Sequence, residues 1–240
     1  MSGDKVQQII AAKDQAPLAC DLGHTALLVI DAQRDFARSQ YAFAQALEKV
    51  VPGVTDDYFA RAQQVALPNI ARLQRFFRER KRPVFYTATG TSTGDGSDLA
   101  GWLRGFDALG QMVLGRNVWP RPDEEAWEID DSVRPEPGEM VVNKIGASAF
   151  VATPLDQTFR ALGIQNLVVC GFSTDVCVSS SARHAADCGY QVIVVEDACA
   201  TLSEEMHRVS LDAIALAFGR VRSTQQVLQL LTPQRTATAR

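Results

Sequence analysis

The chain has 240 residues, of which 46% are hydrophobic and 22% charged, with a net charge of −4. That length suits one α/β domain, and the apolar share is ample for a large core. A mildly acidic balance without a basic run argues against nucleic acid as a partner, and no apolar stretch reaches the roughly 20 residues that a membrane span needs.

The start, MSGDKVQQII, is polar and has no basic-then-apolar leader, so the expected compartment is the cytoplasm. Cys20, Cys170, Cys177, Cys188 and Cys199 are odd in number and contain no C-x-x-C pair. This argues against a disulfide framework and against a zinc knuckle.

In chain order, residues 1–23 read as a loosely structured arm, residues 24–233 as one domain and residues 234–240 as a tail. TALLVIDAQ, residues 25–33, is a short β-rich apolar run ending near an acid and reads as a buried parallel strand. LPNIARLQRFFRERK reads as a helix, with Pro68 in its first turn and Ile70, Leu73, Phe76 and Phe77 on one face. RPVFYTAT is a second strand, and GEMVVNK is a third, ending at Lys144. PLDQTFRALG is a helix with Thr153 as N-cap, Pro154 at its first position and Gly163 as its stop.

IQNLVVCGF is the fourth strand, and TDVCVSSSARHAADCG is the helix that follows, capped by Thr174 or Asp175. YQVIVVEDA is a fifth strand, followed by a helix opened at Ser203. RVRST is a short sixth strand, and TQQVLQLL a last helix. This alternation predicts a doubly wound, mostly parallel six-stranded sheet with helices on both faces, whose ligand lies beyond the carboxyl ends of the strands. Residues 37–62 and 90–135 resist assignment. Both follow strand ends, and both read as lid or rim over a site.

Three reactive residues fall on that predicted edge: Asp31, Lys144 and Cys177. A helix mouth and a nearby cation both favour a thiolate, and a neighbouring carboxylate can carry its proton. Each residue also has a plainer reading: a buried thiol as a small hydrophobe, an aspartate capping a turn, a solvated lysine. Three together at strand ends favour a site.

LLVIDAQRDF, VVNKIGASAF and VVCGFSTDVCVSSSARHAADCGYQVIVVEDACA resemble the signature blocks of the isochorismatase-like cysteine hydrolases, over roughly residues 25–231. The superfamily includes nicotinamidases, N-carbamoylsarcosine amidohydrolases, biuret hydrolases and ureidoacrylate hydrolases. The resemblance implies a catalytic triad of Asp31, Lys144 and Cys177, and a cis peptide between Phe172 and Ser173. It also implies an oxyanion hole of the Ser173 and Cys177 N–H groups. Asp35 matches a structural acid. Phe36 matches a pocket position, and Arg34, Trp119, Phe172, Phe218 and Arg220 are further substrate-binding candidates.

YTATGTSTGDGSD lacks the histidines of metal-dependent nicotinamidases, so neither metal nor cofactor is expected. Isochorismatases proper lack the cysteine, so Cys177 points to an acyl-thioenzyme. The resemblance therefore implies hydrolysis of a C–N bond in a small amide or ureido (N-carbamoyl) compound, by a homodimer or homotetramer. The apolar LAGWLRGFDALGQMVLG is a candidate interface. Arg34 is expected to bind a second carbonyl or a carboxylate, placing ureido compounds ahead of nicotinamide. The alternatives are vinyl-ether hydrolysis and a non-catalytic binding protein on the same fold.

Overall fold

The computed structural model describes residues 2–18 and 20–232, without the side chains of residues 2–4. The expected tail, residues 234–240, and the expected domain end at 233 lie outside the described residues. Six parallel strands form one sheet: β1 (Thr25–Ile30), β2 (Val84–Thr89), β3 (Met140–Lys144), β4 (Asn166–Phe172), β5 (Gln191–Ala200) and β6 (Arg220–Arg222). Their spatial order is β3-β2-β1-β4-β5-β6. Every residue of β1, β2 and β4 is buried, as expected where helices cover both faces and the strand sequence cannot alternate.

The strand order reverses between β1 and β4, which opens a crevice beyond their carboxyl ends. β1 and β4 run in register from Thr25 opposite Asn166 to Ile30 opposite Gly171. At Gly171, φ is 118°, and a Cβ would lie 1.9 Å from the Ile30 carbonyl oxygen, so no other residue fits there. The β4–β5 register shifts between Val169 and Gly171 at the same level.

Residues 2–14, expected as a loose arm, form helix α1 (Ser2–Asp14). Lys13 donates to the Ala215 and Gly219 carbonyls, and Asp14 pairs with Arg220 and Arg222 at the β6 edge. A short α2 (Arg34–Ala37) follows β1, and the two unassigned segments contain α3 (Ala42–Val50), α4 (Asp56–Arg61) and, after β2, α6 (Gly101–Leu114). α4 runs through a π-type turn, Ala62–Ala66, into α5 (Leu67–Glu79), the Pro68 helix.

α7 (Leu155–Ala161) begins one residue later than expected, with Pro154 itself in the cap position. α8 (Ser179–Asp187) follows β4, α9 (Glu204–Ala213) is capped by the Ser203 side chain, and α10 (Thr224–Leu231) opens with a Ser223/Gln226 capping box. Among the described residues, no helix is long and apolar enough to cross a membrane.

Candidate active site

The chain leaves β1 through Asp31 at φ 47°, a left-handed conformation uncommon outside glycine, asparagine and aspartate. The turn is fixed from β2: the Asp31 N–H donates to the Thr87 carbonyl at 3.0 Å. Thr87 and Thr89 point to the same sheet face, two residues apart. The Thr87 hydroxyl donates to Asp31 Oδ1 at 2.7 Å, and that of Thr89 to Oδ2 at 3.1 Å. Both threonines are absent from the sequence reading, where they pass as ordinary β-branched strand residues.

Lys144 is the last residue of β3 and is 1% exposed. Its Nζ lies 2.8 Å from Asp31 Oδ2 and donates to Thr89 Oγ1 at 2.7 Å, the Gly146 carbonyl at 2.9 Å and Cys177 Sγ at 3.2 Å. Cys177 sits in a π-type turn, Thr174–Val178, that leads into α8. The peptide bond Phe172–Ser173 is cis. The Ser173 carbonyl accepts from the N–H groups of Val176 and Val178, the two neighbours of Cys177. Three residues distant in sequence thus meet at the strand-order reversal.

The electrostatics differ from the expected free thiolate. Burial pushes the Cys177 thiol up to about 12; Lys144 pulls it down, and Asp31 raises it further. Burial lowers the Lys144 pKa, but Asp31 and Cys177 more than offset this and hold it above the ordinary lysine value. Burial of the sulfur thus outweighs the pull of Lys144 and disfavours a thiolate at rest. A short helix-start turn does not outweigh near-complete desolvation of sulfur.

Cys177 forms part of the floor of a cavity of about 200 Å³. Its walls are largely aromatic: Phe36, Phe43, Tyr58, Phe106 and Trp119, with Trp102 and Met206 half-exposed at the mouth. Phe43 stacks on Trp119 with centroids 5.4 Å apart, and Phe36 meets Phe43 edge-on at 5.2 Å. The Asp107 carboxylate accepts from the Val118 and Trp119 N–H groups, fixing the loop that carries Trp119. Ser173, Asp175 and Thr201 line the same space.

Of the substrate-binding candidates, Phe36 and Trp119 line this cavity, and four others stand apart from it. Arg34 is turned away into ion pairs with Glu125, Glu128 and Asp131. Phe172 is fully buried within the fold, edge-on to Tyr58. Phe218 lies under the Arg183 guanidinium in a separate surface depression. Arg220 is held by Asp14 and the Lys13 carbonyl, because α1 packs where an open site edge was expected. Asp35 is wholly buried, and burial pushes its carboxyl up to about 8.

Phe43, Tyr58 and Phe106 went unremarked in the sequence, and Asp175 stood there only as a candidate helix cap. The available signal was the four-residue spacing of Trp102 and Phe106, which puts both on one face of α6. His207, on α9, is buried and bonded to Thr174 Oγ1 at 2.8 Å. Among the described residues, no three His, Cys, Asp or Glu side chains group closely enough to hold a metal ion.

The isochorismatase domain family matches residues 25–226. The isochorismatase family protein YecD of Escherichia coli is 30% identical over 207 residues, covering 86% of this chain and 96% of its own length. The ureidoacrylate amidohydrolase RutB of Variovorax paradoxus is 26% identical over 237 residues, covering 97% of this chain and 91% of its own. A cysteine hydrolase from Pseudomonas syringae superposes with a TM-score of 0.72 at 24% identity, over 89% of this chain and 95% of that one. N-carbamoylsarcosine amidase from Thermoplasma acidophilum superposes at 0.58 and 23% identity, over 83% and 96%. The two structural likenesses are of fold.

Proposed function

The chain belongs to the isochorismatase family of hydrolases, and from that premise we propose that it is a cysteine amidohydrolase. On this reading it cleaves a C–N bond of a small amide or ureido compound through a thioester on Cys177. One observation carries the proposal: a single buried ammonium lies 2.8 Å from Asp31 and 3.2 Å from Cys177, a residue that lines a cavity. A buried charged pair next to a thiol is costly to maintain for structure alone.

In the proposed mechanism, the substrate carbonyl enters beside Cys177. As sulfur attacks carbon, the thiol proton passes to Asp31, so the thiolate need not exist beforehand. This agrees with a resting thiol raised to about 12. Lys144 remains an ammonium and offsets the negative charge moving between sulfur and carboxylate. The N–H groups of Ser173 and Cys177 hold the oxyanion. The Asp31 proton then goes to the departing nitrogen, and the C–N bond breaks to leave a thioester. Asp31 next deprotonates water; hydroxide attacks the thioester, and the released sulfur regains its proton.

The ureidoacrylate amidohydrolase RutB, a relative in sequence, supports the amide class. The test is rapid quench followed by intact mass. Wild type should carry one acyl group on Cys177 during turnover, and Cys177→Ala should carry none and release no product. Normal turnover by Cys177→Ala would sink the mechanism.

A further inference from the structure

The wall opposite the nucleophile limits what the rest of the substrate can be. Among the described residues, none lining the cavity is lysine, arginine or histidine. Arg34, the cation closest in sequence to Asp31, is committed to three carboxylates elsewhere. Three side-chain donors on the walls are already engaged. The Tyr58 hydroxyl donates to the Phe36 carbonyl at 2.7 Å, Trp119 Nε1 to the Leu103 carbonyl at 2.7 Å, and the Thr201 hydroxyl to Asp175 Oδ1 at 2.5 Å. Ser173, next to the reacting centre, keeps an uncommitted hydroxyl, and Trp102, at the half-exposed mouth, an uncommitted indole N–H. Asp175 adds a negative charge to the same wall.

A carboxylate in this space would lose its water without gaining a counter-charge, with at most the two neutral donors of Ser173 and Trp102 in exchange, and would face a like charge. An apolar tail would instead meet ring faces and edges on several sides. A dry apolar cavity of roughly 150 Å³ is known to hold a benzene-sized guest. Here about 200 Å³ must hold both the tail and the amide head.

We infer that the substrate is a small amide or ureido compound with an uncharged, apolar tail no larger than a benzene ring, and that the aromatic wall with Asp175 rejects amides ending in a carboxylate. This rests on the cysteine amidohydrolase reading and narrows it. It also removes Arg34 as a ground for placing ureido compounds ahead of nicotinamide, because Arg34 does not line the cavity.

The experiment compares tails of nearly equal length: pentanamide against the half-amide of succinic acid, and butylurea against ureidopropionate, by ammonia release. In each pair the uncharged member should have the higher kcat/KM by about a hundredfold. Placing a cation at the half-exposed mouth with Trp102→Arg should raise kcat/KM for the acidic members about tenfold and narrow the gap. A carboxylate member that equals or outruns its partner in wild type overturns the inference and leaves the cysteine mechanism intact.

Binding is read separately in Cys177→Ser, by quenching of Trp102 and Trp119 fluorescence. Quenching by pentanamide and not by its acidic partner supports the inference even where wild type turns neither over; that combination would overturn only the hydrolase reading. Equal quenching by both overturns the inference.

Discussion

Four acceptors surround the three ammonium protons of Lys144, and one of them is the sulfur. Removing the cation leaves Asp31 charged, buried and unpaired, a situation that typically costs about 3–5 kcal/mol. Lys144→Met should therefore lower stability by about that much in urea unfolding, and abolish turnover. Adding Asp31→Leu should restore part of the stability, because the stranded charge is gone, and none of the activity. A double variant as unstable as the sum of the two singles would show that the pair is not coupled. The raised folded pKa of Lys144 sets the sign of the pH effect. The stability it contributes is complete below the ordinary lysine value and is lost only as pH climbs through the raised one. No loss from this pair is expected at neutral pH.

At the scale of elements, the turn that carries Cys177 is tied to two distant helices. Arg61, at the end of α4, donates to His207 Nε2 at 2.8 Å. Arginine can only donate, so Nε2 accepts, and Nδ1 carries the proton that is given to Thr174 Oγ1. Burial, with Arg61 adding to it, pushes the His207 pKa down to about 4. Between the ordinary histidine value, about 6.5, and that lowered one, the unfolded chain binds a proton that the folded chain refuses. Stability should thus fall as pH drops from about 6.5 to about 4, and His207→Gln should flatten this part of the profile in chemical denaturation. An unchanged slope in the variant would remove His207 from the account. The sequence hides this tie because α4 and α9 are far apart along the chain and neither carries a motif. β1, β3 and β4 were legible because buried parallel strands are short apolar runs, and each reactive residue stands at or just beyond the end of one. The lid helices α3, α4 and α6 were not legible. Their aromatic residues form a common wall only after folding, and the π-type turns at Ala62–Ala66 and Thr174–Val178 shift the helical period.

For the whole molecule, α1 closes the β6 edge through Asp14, which lies 3.1 Å from Arg220 Nε and 2.6 Å from an Arg222 nitrogen. Asp14→Ala strands the buried Arg220 guanidinium and should lower the denaturation midpoint, while kcat/KM at 25 °C stays within about twofold of wild type, as for sites without shared partners. A large loss of kcat/KM would mean that this edge communicates with the cavity. The reading of Arg220 as a substrate ligand failed for a reason of scale: a short strand near an expected site edge looks open until the helix that covers it is placed. Gly171 bears on the molecule in another way. With a Cβ there falling 1.9 Å from the Ile30 oxygen, β1 and β4 are locked backbone to backbone directly beneath Asp31 and the cysteine turn. Substitutions that reshape the cavity therefore have little room in the sheet. The room lies in the aromatic wall from residues 37–62 and 90–135 and in Leu202 and Met206 after β5, which makes those positions the place to build a library and the strand ends the place to leave alone.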